Sequence, residues 1–263
     1  MLNDKLLSKV PAVTLGFWII KILATTLGET GGDTVTMTWL GETTDDANPN
    51  GYLIGTAIFL SLLVVLAAVQ IRAKKFHPLL YWATIIASTT AGTTLADFAD
   101  RSLGIGYAGG STVLLACVLL SLGLWYLVEG TVSVASVNRP RAEAFYWLTI
   151  TFSQTLGTAL GDWMADTSGL GYLGAAAVFG SGLVALAILY YGSSLSRVAL
   201  FWAAFILTRP LGATVGDFFD KPMSAGGLNV SRPVATAIIG VAMLALIFLI
   251  PQRAGTHPGD QQA

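Results

Sequence analysis

Cysteine, histidine and charge are all scarce in this 263-residue chain, which holds 1 Cys, 2 His and only 11% charged residues. The lone Cys117 excludes a disulfide within the chain, and its place in an aliphatic stretch reads as a small buried apolar residue. His77 and His257 lie away from the acidic motifs, so no imidazole and thiolate cage for a soft metal is expected. No nucleophile, base and orienting group occur together, which argues against an enzyme and leaves no catalytic residue and no resident cofactor to name. Against so few charges stand 54% hydrophobic residues and a mean hydropathy of +0.69, too apolar for a water-soluble domain of this length. The solvent is the lipid bilayer.

Eight stretches are long enough to span it: about 10–28, 52–71, 77–96, 107–128, 143–162, 171–192, 198–216 and 232–250. Their apolar runs lack the strict alternation of barrel strands, so the expected class is all-α and polytopic. No cleavable signal is evident, and the first stretch is read as an anchor.

What the chain does have is a pattern repeated four times. The copies run from Phe17-Trp18 to Gly28 and Asp33, from Tyr81-Trp82 to Gly92 and Asp97, from Tyr146-Trp147 to Gly157 and Asp162, and from Phe201-Trp202 to Gly212 and Asp217. Each Trp lies ten positions before its Gly, and each Gly five before its Asp. One unit of two spans therefore occurs four times, at about 10–75, 76–139, 140–196 and 197–252. Residues 1–252 are expected to form a single membrane domain, followed by a disordered tail at 253–263. Units of two spans keep the same orientation, so the symmetry axis runs along the membrane normal.

Basic residues orient the chain. Lys5, Lys9, Arg72, Lys74, Lys75, Arg139, Arg141, Arg197 and Arg253 fall on one side; the other holds Arg101, Lys221 and Arg232, with Glu42, Asp45, Asp46 and the motif acids. This places both termini in the cytoplasm and the motifs at the outer face. The even spans are aliphatic, whereas the odd ones carry hydroxyls, small residues and charge, so motif helices 1, 3, 5 and 7 are expected inside. Gly28 with Gly32, Gly92 with Ala96, Gly157 with Gly161 and Gly212 with Gly216 are small pairs four apart that let helix backbones touch. The aromatic pairs before them read as interface anchors.

Acids cluster at the motif ends. Asp97 with Asp100, Asp162 with Asp166, Asp217 with Asp220, and Glu29 with Asp33 are spaced three or four apart and so share helix faces. Four such stripes about one axis would bring oxygen ligands together, and oxygen ligands suit hard ions such as Mg²⁺, Ca²⁺ or Mn²⁺. Lys21 and Arg209 lie two turns before Glu29 and Asp217 and are candidates to compensate their charge, while Pro210 removes a backbone hydrogen bond beside Arg209. Glu129 reads as interfacial.

At Lys21-Ile22-Leu23-Ala24-Thr25-Thr26-Leu27-Gly28-Glu29-Thr30, at the central Gly-x-x-x-x-Asp units and at Arg209 to Asp217, the chain resembles a bacterial inner-membrane family. That family is loosely described as membrane-anchored proteins with a guessed role in regulating amylopullulanase, and the resemblance implies no established activity. A looser similarity is to metal-cation exporters that repeat short Gly/Glu/Asp motifs in their spans. The favoured function is a cation transporter of the inner membrane for a divalent hard metal such as manganese, with export favoured and the cation as substrate. The alternatives are a proton-coupled carrier of a small organic cation and a non-transporting anchor or regulator. The partners expected are the lipid bilayer and the metal cation, with no nucleic acid and with oligomerisation left open.

Overall fold

The computed structural model describes residues 7–44 and 50–256 of the chain. Lys5, Asp45, Asp46 and His257, used above for charge and ligand arguments, lie outside the described residues. Eight long helices dominate: α1 (Leu15–Asp33), α2 (Gly51–Arg72), α3 (Pro78–Asp97), α4 (Tyr107–Glu129), α5 (Pro140–Asp162), α6 (Gly171–Gly192), α7 (Arg197–Asp220) and α8 (Arg232–Leu249). Pro78 and Pro140 open α3 and α5 at first-turn positions, where a missing N–H costs nothing. Thr14 and Ser196 cap α1 and α7 through their hydroxyls.

Five of these helices, α2, α4, α6, α7 and α8, are long and apolar enough to cross a membrane. The other three, α1, α3 and α5, are long enough but diluted by hydroxyls and charge. Those hydroxyls are buried without being stranded, because many bond back to a carbonyl one turn earlier. Thr34 donates to Thr30 O at 2.7 Å, Thr84 to Leu80 O at 2.7 Å and Thr155 to Thr151 O at 3.0 Å.

The odd helices close a ring in which α1 packs on α3, α3 on α5, α5 on α7 and α7 on α1. Each even helix then lies against the odd helix that follows it, and α8 closes the circle on α1. Glycine sets the spacing with near fourfold regularity. A Cβ at Gly28 would overlap Thr89, one at Gly92 would overlap Gln154, one at Gly157 would overlap Arg209, and one at Gly212 would overlap Thr25. Each motif glycine thus faces, on the next helix round the ring, the residue three before that helix's own glycine. Gly32, Gly161 and Gly216 repeat the relation one turn on, against Thr93, Ala213 and Glu29. Bulk at Gly28, Gly92, Gly157, Gly212 or Gly216 would push neighbouring helices apart, whereas at Gly32 and Gly161 the facing side chain need give only slightly.

The aromatic pairs, expected as interface anchors, instead fill the ring. Phe17, Tyr81, Trp82, Tyr146, Trp147, Phe201 and Trp202 are buried, and the Tyr81 and Tyr146 hydroxyls meet at 2.7 Å between α3 and α5. Depth alone suggested the interface, but ring closure turns both residues of a pair toward neighbouring helices; only Trp18 stays half-buried. Below this layer a two-stranded antiparallel sheet, β1 (Leu7–Pro11) with β2 (Ala254–Thr256), covers the basic end. Three residues of the tail expected to be disordered therefore pair as a strand, and residues 257–263 lie outside the described residues. Lys9 on β1 meets Glu143 of α5 at 2.6 Å and donates to the carbonyls of Gln70 and Ile71 at the end of α2.

Candidate functional site

Equivalent positions of the four repeats stack as layers along the ring axis. Above the aromatics come Lys21, Ile85, Ile150 and Phe205, then Thr25, Thr89, Gln154 and Arg209, then Glu29, Thr93, Thr158 and Ala213, and last the four motif aspartates. All these side chains are buried, most of them completely. Polarity and charge therefore rise toward the motif end within one closed bundle.

Arg209 takes the place that Ala213 leaves in the third layer. One terminal nitrogen shares its two hydrogens among three close oxygens, Glu29 Oε2 at 2.8 Å, Thr93 Oγ1 at 2.6 Å and the Thr158 hydroxyl, so a single guanidinium ties α7 to the other three inner helices. Among the described residues its Nε and second terminal nitrogen find no partner, and neither does the Gln154 amide or the Thr89 hydroxyl in the layer below. Lys21 has no carboxylate within ion-pair distance among the described residues. Its ammonium lies 3.5 Å from Thr208 Oγ1 and 4.3 Å from the centre of the Phe205 ring.

In the last layer each motif aspartate meets a cation. Arg101 binds Asp97 at 2.9 Å and Asp162 at 3.3 Å, joining α3 to α5. Lys221 binds Asp217 at 2.9 Å and Asp33 at 3.1 Å, joining α7 to α1. Arg232, at the start of α8, reaches Asp220 at 3.4 Å. The Asp97 carboxylate holds the Arg101 guanidinium far above its ordinary range, burial opposes this, and Asp162 adds to it. Even so, acid oxygens are left over: Asp33 Oδ1 and Asp97 Oδ2 are buried without a hydrogen-bond partner among the described residues. Glu29, Asp33 and Asp217 each bring a carboxylate oxygen within 4.8 Å of the other two.

Of the eight acids singled out from the sequence, Glu29, Asp33 and Asp217 therefore converge, while Asp97 and Asp162 are joined to each other through Arg101. Asp220 stays close through Arg232, but Asp100 and Asp166 leave the group. Asp100 lies beside Gly110 at the start of α4, and the exposed Asp166 accepts from Tyr172 at 3.2 Å and Tyr107 at 3.4 Å. The cause is local. After the motif aspartate the first three repeats widen into π-helical turns, Thr34–Trp39, Phe98–Ser102 and Trp163–Thr167, which rotate the following residues off the shared face. In the fourth repeat α7 continues as α-helix to Asp220, and that acid alone keeps the spacing of three on the inner face. Of the two cations expected to compensate the acids, Arg209 meets Glu29, whereas Lys21 lies two layers away beside Thr208 and Phe205.

Arg101, Lys221 and Arg232 were counted from the sequence as loop charges. The missed signal is spacing: Arg101 and Lys221 each stand four residues after a motif aspartate, a helical ion-pair distance. Glu129, expected at the interface, pairs with the exposed Arg141.

The model of a repeat of unknown function, DUF347, matches the chain four times, at residues 16–76, 80–131, 145–195 and 200–252. The chain belongs to this family, and its four matches fall on the four helix pairs described above. Comparison with curated proteins and with solved structures returned no match.

Proposed function

We propose that this protein is a cation transporter of the bacterial inner membrane, with eight spans and both termini in the cytoplasm, and that its substrate is a hard divalent metal, manganese first, with export favoured. The observation that carries this reading is the convergence of Glu29, Asp33 and Asp217 in a buried place, with acid oxygens at Asp33 and Asp97 left unpartnered. Oxygen-only donors of this kind suit Mn²⁺, Mg²⁺ or Ca²⁺ rather than thiophilic metals. Lys221 and Arg209 lie against the same acids, so a cation entering the group displaces their charge, and the exchange of internal for external cation supplies an alternating cycle. Lys21 supplies a second buried positive charge two turns deeper. The organic-cation alternative calls for an aromatic cavity beside the acids, whereas the buried ring of aromatics, separated from them by two layers, is packed on itself, at 5.1 Å for Tyr146 with Trp147 and 5.8 Å for Tyr81 with Trp147.

The test pairs binding with transport. Mn²⁺ should raise the melting temperature of the purified protein and be carried by it in proteoliposomes, and Glu29→Gln and Asp162→Asn should abolish both while still inserting. Variants that bind and move Mn²⁺ like the parent would overturn the reading.

A further inference from the structure

One break in the fourfold pattern lies far from the acids. Trp125 near the end of α4 is completely buried, with its ring 5.8 Å from Trp202 and 6.3 Å from Tyr146. The third repeat follows the second at an offset of 65 residues, as Asp97 to Asp162 and Tyr107 to Tyr172 show, so Tyr190 of α6 is the counterpart of Trp125. By the same symmetry Tyr190 would pack between Phe201 and Trp18. It does not. Tyr190 is 46% exposed and turns outward, where the Arg197 guanidinium stacks on its ring at 4.5 Å and bonds its carbonyl.

The seat that Trp125 fills on one side of the ring is consequently open on this side. It forms a cavity of about 540 Å³ between α1, α6 and α7, with Trp18, Phe201, Leu183 and Ala204 among its walls and Thr208 at its buried floor. Among the described residues its lining includes no acid, and Arg197 stands at the rim as its cation. The α6 face beside it is exposed and aliphatic, with Val184 61% and Ile188 66% accessible, as suits a surface in contact with lipid tails. Tyr190, Tyr191 and Trp18 are the residue types that sit at headgroup level, and a basic rim at that level attracts anionic lipid.

We propose that this groove is a binding site for one anionic phospholipid, with an acyl chain in the seat vacated by Tyr190 and the phosphate at Arg197. The chain end then reaches Thr208, whose hydroxyl is the polar contact of the Lys21 ammonium. A bound lipid would thereby stand one side chain away from the unpaired charge of the inner bundle. The inference rests on the membrane setting alone and is independent of what the acids carry.

The experiment uses the detergent-purified full chain with dioleoyl phosphatidylglycerol and dioleoyl phosphatidylcholine, read by thermal shift and by native mass spectrometry. Phosphatidylglycerol should raise the melting temperature by about 5 °C more than phosphatidylcholine and remain as a single retained adduct. Tyr190→Trp, which offers the groove the ring that Trp125 supplies elsewhere, and Ala204→Trp should lose that adduct while keeping parental helicity. Arg197→Gln should bind both lipids alike. Equal stabilisation of the parent by the two lipids would overturn the proposal, as would retention of the adduct by folded Tyr190→Trp and Ala204→Trp. Should neither filled variant fold, an unchanged lipid preference in Arg197→Gln would overturn it.

Discussion

Arg209 on α7 and Glu29 on the neighbouring α1 meet at 2.8 Å inside the bundle, and both side chains are shut off from solvent. A pair so placed is worth little against a hydrophobic replacement of both partners, but removing one partner strands the other. Glu29→Gln should therefore cost about 3–5 kcal/mol of unfolding free energy, and the double variant Glu29→Gln with Arg209→Met should recover most of it. Thermal unfolding of the single and double variants in one detergent measures the difference; additive losses would show that the two residues do not act as a pair.

The glycine ring predicts a contrast between positions that look alike in sequence. At Gly92 an added Cβ would lie 2.8 Å from the Gln154 backbone carbon, which cannot swing aside, whereas at Gly180 of α6 nothing lies within 4 Å. Gly92→Ala should destabilise by about 1–3 kcal/mol, while Gly180→Ala should be neutral or stabilise by about 0.5–1 kcal/mol through its better helix propensity. Equal effects on melting temperature would mean that the inner helices do not approach as closely as described.

Much of this is legible in the sequence. The tenfold and fivefold spacings of Trp, Gly and Asp disclosed four units, and the glycine pairs marked the surfaces on which helices touch. Three of the eight acids, Glu29, Asp33 and Asp217, bring their carboxylate oxygens together. The rest depended on events that a helical wheel does not represent. Asp100 and Asp166 were misplaced because a π-helical turn adds a residue to the winding, and no residue type announces such a turn. Arg101 and Lys221 were read as loop charges because hydropathy places a lone cation outside a span, although a long side chain can fold back to an acid one turn earlier. Tyr190 and Trp125 occupy equivalent positions in the repeats, and only packing shows that one turns in and the other out.

Topology is open to a direct check. Reporter fusions at Lys75 and Arg139 should read cytoplasmic, and a fusion at Gly104, in the connection between α3 and α4, should read periplasmic. A cytoplasmic reading at Gly104 would turn the acid cluster toward the inside and reverse the access assumed for the cation.

Lys221 provides a test of competition. Its ammonium lies 2.9 Å from Asp217 and 3.1 Å from Asp33, two of the three acids whose oxygens converge. If a metal must displace that ammonium, Lys221→Met should bind Mn²⁺ about tenfold or more tightly, a gain of about 1.4 kcal/mol. It should also transport more slowly, since the charge that expels the metal is gone. Titration calorimetry reads the first effect and proteoliposome flux the second. Unchanged affinity would show that the lysine only braces α7 against α1.

Lys21 carries the sharpest separation of stability from function. Its ammonium is completely buried on α1 with one hydroxyl at 3.5 Å and an aromatic face at 4.3 Å, and no carboxylate lies within ion-pair distance among the described residues. The other three repeats put Ile85, Ile150 and Phe205 at the equivalent position, so the fold itself has no need of a charge there. Keeping an unpaired ammonium in that layer costs stability unless it is hydrated or neutral. Lys21→Met preserves the stem and removes the charge, and should raise unfolding free energy by about 1–4 kcal/mol. Manganese tolerance of cells carrying the variant should nevertheless fall to that of a deletion strain, because the inner positive charge that answers the acids is lost. A variant that is both more stable and fully active would remove Lys21 from the transport cycle; one that is less stable would mean that the ammonium is satisfied by groups in the Thr208 layer, and that the bundle interior is wetter than its packing suggests.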